Sequence, residues 1–155
     1  MFLRKLFFIC LFSLSCGGAA LAAWPSIFGG EGESVRAEGG LIRVDVSALG
    51  AGQAKHYSYR EGRMNVRFFL VRDSGNTIRA ALDACEVCWK EDKGYKQQDS
   101  FMRCVNCGQK FPLTRIGEVK GGCNPHPLRF DLKDDIFSIP AAELAREGER
   151  YFKPS

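Results

Sequence analysis

Histidine is scarce in this 155-residue chain. It occurs twice, and neither copy follows a C-x2-C pair, which excludes covalent c-type haem. No Ser/His/Asp ordering, phosphate-cradling glycine loop or paired-carboxylate motif is present, so no catalytic constellation is recognisable. Charge of one sign is missing too. The formal charge is +4, and setting aside Arg4 and Lys5 of the N-terminal segment leaves 20 basic against 18 acidic residues, about +2. Basic residues so few and so scattered give no nucleic-acid footprint. Internal repeats and a twin-arginine pair are also absent, and only one long apolar run occurs. The length suits one domain with a modest core.

That apolar run opens the chain. Residues 1–23 read as a secretory signal: Arg4 and Lys5 form its positive start, Leu6 to Leu14 its apolar stretch, and Ala20-Leu21-Ala22 an A-x-A cleavage pattern. Leu6 to Ala23 also approaches the roughly 20 residues that cross a bilayer, so a retained N-terminal anchor is the second reading. A lipoprotein reading through Cys16 is opposed by Ser13-Leu14-Ser15, which lacks an aliphatic residue three before the cysteine. All three place the domain in the periplasm or on the extracytoplasmic face of a bacterial inner membrane. Removing the leader takes away Cys10 and Cys16 and leaves five cysteines. An odd count outside the cytoplasm fits a disulfide framework poorly, and metal ligation becomes the leading reading.

Residues 24–40 are rich in glycine and charge and read as a flexible linker, leaving 41–155 as the domain. Ile42, Val44 and Val46 alternate with Arg43 and Asp45, the period of a half-buried strand. Further strands are expected over 55–59, 64–71 and 77–82, then around 101–103, 129–132 and 136–139. The stretch from Cys85 to Leu128 otherwise reads as loop. Pro140 suits the first position of a closing helix with Leu144, Tyr151 and Phe152 on one face. The expected fold is mainly β with a C-terminal helix and cysteine-rich metal loops.

Cys85-x2-Cys88, fifteen residues, Cys104-x2-Cys107, fifteen residues and Cys123 is the pattern that carries chemistry. A two-residue gap lets a tight turn aim two sulfurs at one point, with backbone N–H groups facing them, and two such pairs make a tetrathiolate site. Gly108 after the second pair supplies the positive φ such turns need. Trp89 follows the first pair instead and is placed to shield the site. The spacing leaves zinc, iron–sulfur and Cu(I) open. It also leaves open two disulfides with a spare thiol, and a redox pair at Cys85-Glu86-Val87-Cys88. Cys123, within Gly121-Gly122-Cys123-Asn124-Pro125-His126-Pro127, is either a further sulfur ligand or an incidental thiol in a rigid lid. His126 is a candidate ligand or redox-linked proton site. His56, Asp83 and Glu86 read as surface groups.

Ile78 to Cys88, Lys93-Gly94-Tyr95, Cys104-Val105-Asn106-Cys107-Gly108, Phe111, Ile116-Gly117 and Gly121 to Pro125 together resemble the FtrD-like family of membrane iron–sulfur proteins. The resemblance runs from about Leu41 to Phe152. It implies an iron–sulfur cluster held by Cys85, Cys88, Cys104 and Cys107, with Cys123 in the accompanying loop. It also implies a link to ferrous-iron uptake, with membrane permease and cupredoxin-like partners. Longer family members carry several spans before the domain, whereas this chain has one apolar segment. The loop layout is also similar to the Rieske arrangement, a small β-sandwich or barrel. Cysteines in place of its two histidines would lower the potential of the centre. The expected function is an electron carrier rather than an enzyme, with membrane redox or metal-transport proteins as partners. The alternatives are a structural zinc module and a copper- or iron-binding donor to a transporter.

Overall fold

The computed structural model describes residues 32–154, so the signal or anchor expected over 1–23 lies outside the described residues. Among the described residues no helix is long and apolar enough to cross a membrane. Part of the expected linker is built into the domain. Glu33–Val35 (β1) and Ala37–Glu38 (β2) are short strands whose backbones are paired although most of their side chains are exposed. The close approach at this end needs a glycine: a Cβ on Gly32 would lie 2.3 Å from the His56 carbonyl carbon.

The alternating stretch forms Leu41–Asp45 (β3), with Ile42 and Val44 inward and Arg43 and Asp45 outward. Gln53–Glu61 (β4) and Met64–Arg72 (β5) make a long hairpin turning at Gly62, and Ile78–Leu82 (β6) follows the Asp73–Asn76 turn. Asp73 fixes that turn by accepting the N–H groups of Gly75 and Thr77 and the Arg79 Nε–H.

The expected loop after Cys85 contains a further sheet: Tyr95–Gln98 (β7), Phe101–Cys104 (β8) and Lys110–Pro112 (β9) form a meander. Asp131–Lys133 (β10) and Ile136–Pro140 (β11) then return to the first half of the chain, β11 pairing with β3. The helix, Ala141–Gly148 (α1), starts one residue later than expected, with extended Pro140 as its cap. It stops before Tyr151 and Phe152, which are buried through the turn that follows.

The sheets are open, with orders β1-β4-β5-β6, β10-β11-β3-β2 and β7-β8-β9. None closes, so the barrel alternative is replaced by layers. The β4–β6 sheet lies in the middle. One of its faces, with Tyr57, Phe68 and Leu70, packs on Ile42, Phe137, Ile139 and Leu144. The other, with Phe69, Val71 and Ala81, packs on Tyr95, Met102 and Phe111 of the meander. This two-sided burial is why β5 reads Phe68-Phe69-Leu70-Val71 without alternation. The second core includes Cys85 and Cys104, so the sulfurs sit at the rim of a packed layer.

Candidate metal centre

Three pieces of chain converge on one point, each held by backbone. β6 runs directly into Cys85. The loop carrying Cys123 is clipped to the edge of that strand: Leu82 N–H donates to the His126 carbonyl (2.8 Å), His126 N–H to Ala84 (3.0 Å) and Leu128 N–H to Ala80 (3.2 Å). β8 delivers Cys104, paired opposite Tyr95. The turn to Cys107 is closed by Gly108 N–H on the Cys104 carbonyl (2.9 Å), with Gly108 at φ 79°. Such a φ is cheap only for glycine.

The five cysteines among the described residues are free thiols and gather there. The sulfurs of Cys88, Cys104, Cys107 and Cys123 lie within 4.8 Å of one another. Cys123 is central, with its Sγ 3.8 Å from Cys85, 3.8 Å from Cys88 and 3.0 Å from Cys107. Four sulfurs about 2.3 Å from a tetrahedral ion stand about 3.8 Å apart. The Cys88–Cys123 edge therefore already has the right length, and the Cys107–Cys123 edge has only to open slightly. The set of four mutually close sulfurs contains Cys123, the expected accessory. Cys85, an expected ligand, stands outside it, with its Sγ 3.8 Å from that of Cys123.

The local fields sort these thiols. Burial pushes the Cys85 thiol up, but the Tyr95 hydroxyl and the backbone N–H groups of Cys88 and Val87 outweigh it and bring it below its ordinary value. The Cys88 N–H lies 3.2 Å from that sulfur. Cys107 is lowered to about 7, first by the Cys123 thiol and then by Gln109 N–H. Cys123 is pushed up by burial and by its sulfur neighbours. The Asn106 amide lowers the Cys88 thiol, but burial and the Cys104 thiol outweigh it and leave Cys88 above its ordinary value. Without an ion the centre thus has two lowered thiols, Cys85 and Cys107, beside two raised ones, Cys88 and Cys123, and a cation is what would let them ionise together. The Tyr95 hydroxyl, 2.7 Å from the Cys123 carbonyl, braces the junction.

Several neighbours differ from their sequence reading. The imidazole of His126 is taken up elsewhere: Nε2 is 2.9 Å from Glu147 and Nδ1 is 3.0 Å from the Tyr151 hydroxyl. It ties the cysteine loop to α1 and offers no free nitrogen to the sulfurs. Asp83 is buried and accepts Tyr95 N–H at 2.7 Å, and burial raises its carboxyl to about 7. A Cβ on Gly94 would sit 2.3 Å from that carboxylate, so glycine is required there. His56 Nε2–H donates to the Tyr95 carbonyl at 3.1 Å and joins the central sheet to the meander. Glu86 faces Arg150. The sequence signal for Asp83 and His56 was their place beside a cysteine pair and among aromatics, but their partners lie 12 and 39 residues away. Trp89, on the short turn Trp89–Glu91, lines the pocket at the sulfurs as expected.

Residues 49–152 match the family described as membrane iron-sulfur containing protein FtrD-like, and the chain belongs to that family. No curated protein and no solved structure matches it.

Proposed function

We propose, from membership of the FtrD-like family and the convergence of its cysteine sulfurs, that this protein is a one-electron carrier outside the cytoplasmic membrane. It would serve a metal-uptake or membrane redox system. The observation that carries this is the group of four sulfurs within 4.8 Å of one another. Thiolates in this number and arrangement fit iron, and the spacing fits a single ion. A cluster of two or four irons has sulfide between the metals and spreads its cysteine sulfurs over more than one tetrahedron.

Cys88, Cys104, Cys107 and Cys123 would hold the iron, which when bound supplies a one-electron couple. The chain's own part is to keep the sulfurs in place and tune them. The packed meander and the clipped Cys123 loop hold the sulfur positions in both oxidation states, which keeps reorganisation small. N–H groups aimed at sulfur withdraw negative charge and raise the potential. Burial of Cys104 excludes water on one side, while exposed Cys107 marks the other. The apolar N-terminal segment, read from the sequence as a leader or anchor, supports the extracytoplasmic location.

The test is the visible absorption of anaerobically purified protein. Charge-transfer bands that bleach with dithionite and return on oxidation are expected. The tetrahedral edge length favours zinc equally as a second reading, in which the site only shapes a binding module. Colourless protein with one zinc per chain would establish that reading instead.

A further inference from the structure

We propose that a basic groove beside the first cysteine pair docks the acidic face of the redox partner and is the route by which electrons pass between that partner and the centre. This rests on the carrier reading given above. The groove has a volume of about 510 Å³ and is lined by Arg60, Arg67, Lys90 and Lys153 around Trp89, with Asp92 its one acidic residue. Asp92 is already committed to Arg67, which also lies over the Phe152 ring at 5.1 Å. The ammonium groups of Lys90 and Lys153 sit 5.9 Å and 5.4 Å from the centre of the Trp89 ring. Among the described residues, no carboxylate is within ion-pair distance of Arg60, Lys90 or Lys153.

Three cations without a carboxylate partner among the described residues, two of them resting on Trp89, are out of keeping with a chain whose charges otherwise nearly cancel. Like charges held together raise the free energy of the isolated protein and are relieved by an anionic surface. The position gives the feature its purpose. Trp89 follows Cys88 directly, and Trp89, Asp92 and Tyr151 line both the groove and the small pocket at the sulfurs. A partner seated on the groove therefore has its redox group beside Trp89, one residue from the ligand Cys88. Steering by such a field acts on the rate of encounter and fades as salt screens it.

The experiment uses the reduced, metal-loaded protein and two one-electron oxidants in stopped flow, anionic ferricyanide and cationic hexaammineruthenium(III). In each case one electron passes from protein to probe. At low salt ferricyanide is expected to react faster than its driving force alone accounts for. The triple variant Arg60→Glu/Lys90→Glu/Lys153→Glu should slow it by about tenfold or more and speed the cation. The difference should vanish at high salt. Lys153→Glu alone, at the exposed C-terminal end, should show the same trend in smaller measure if the triple variant folds poorly. The matched reversal Lys110→Glu/Arg115→Glu, on the meander side, should have little effect.

Rates indifferent to probe charge and to the groove residues, or slowed equally by the matched reversal, would overturn the groove and place electron exchange at exposed Cys107. Titration with redox-inactive hexacyanocobaltate(III), followed by Trp89 fluorescence in a Trp24→Phe background, separates the two claims. Protein that binds this trianion but shows no bleachable band keeps the groove and loses the carrier reading. Protein that bleaches but fails to bind it, with rates indifferent to charge, keeps the carrier reading and loses the groove.

Discussion

At the scale of single residues, Cys123 is the sulfur on which the others converge, although it stands alone in the sequence. Cys85, half of a C-x2-C pair, is the one outside the four-sulfur group. The two assignments predict opposite mutants. Cys123→Ser is expected to lose bound metal and several kcal/mol of stability, because binding free energy at such a site is folding free energy. Cys85→Ser is expected to keep about one metal per chain with a shifted potential. Metal analysis and melting of both variants check this, and loss in Cys85→Ser with retention in Cys123→Ser would restore the spacing-based ligand set. The two pairs were legible because a two-residue gap is a local constraint. The centrality of Cys123 was not, since it comes from backbone bonds between residues 126–128 and β6, more than 40 residues away in the chain. The partners of His126 were illegible for a similar reason: Glu147 and Tyr151, which occupy its ring, come from the far end of the chain.

At the scale of elements, the long strands were legible where apolar residues alternate or run together, as in β3 and β5. The meander was not. β7 reads Tyr-Lys-Gln-Gln, with one buried side chain, and its strand character comes from pairing with β8 and from Asp83 holding its first N–H. That link gives a pH dependence. The folded state raises the Asp83 carboxyl from 3.8 to about 7, chiefly by burial, so the folded protein holds this proton more tightly than the unfolded chain. Stability from this group is therefore present in full at low pH and is lost as pH rises towards 7. Asp83→Asn keeps an acceptor for Tyr95 N–H and removes the titration. In anaerobic urea melts the variant is expected to gain on the parent steadily between about pH 4 and 7. A constant difference across that range would mean that the carboxyl does not titrate as its burial requires.

At the scale of the whole molecule, the central sheet separates two cores. One is a large apolar core shared with β3, β11 and α1, and the other is a smaller one shared with the meander and the sulfurs. Removing the metal should therefore act unevenly. Hydrogen exchange of chelator-treated, reduced protein is expected to quicken over 85–125, while β3, β5 and β11 stay protected. Uniform loss of protection would show that the centre organises the whole fold. The layering was only partly readable, because two-sided burial of β5 was visible in its apolar run while the material covering its second face looked like loop. The claim beneath all of this is that the gathered sulfurs share one ion. X-ray absorption at the metal edge of anaerobically purified protein tests it directly. Four sulfur neighbours at about 2.3 Å with no second metal in the next shell are expected. A strong metal–metal distance, or metal-free protein whose cysteines are paired as disulfides, would contradict it.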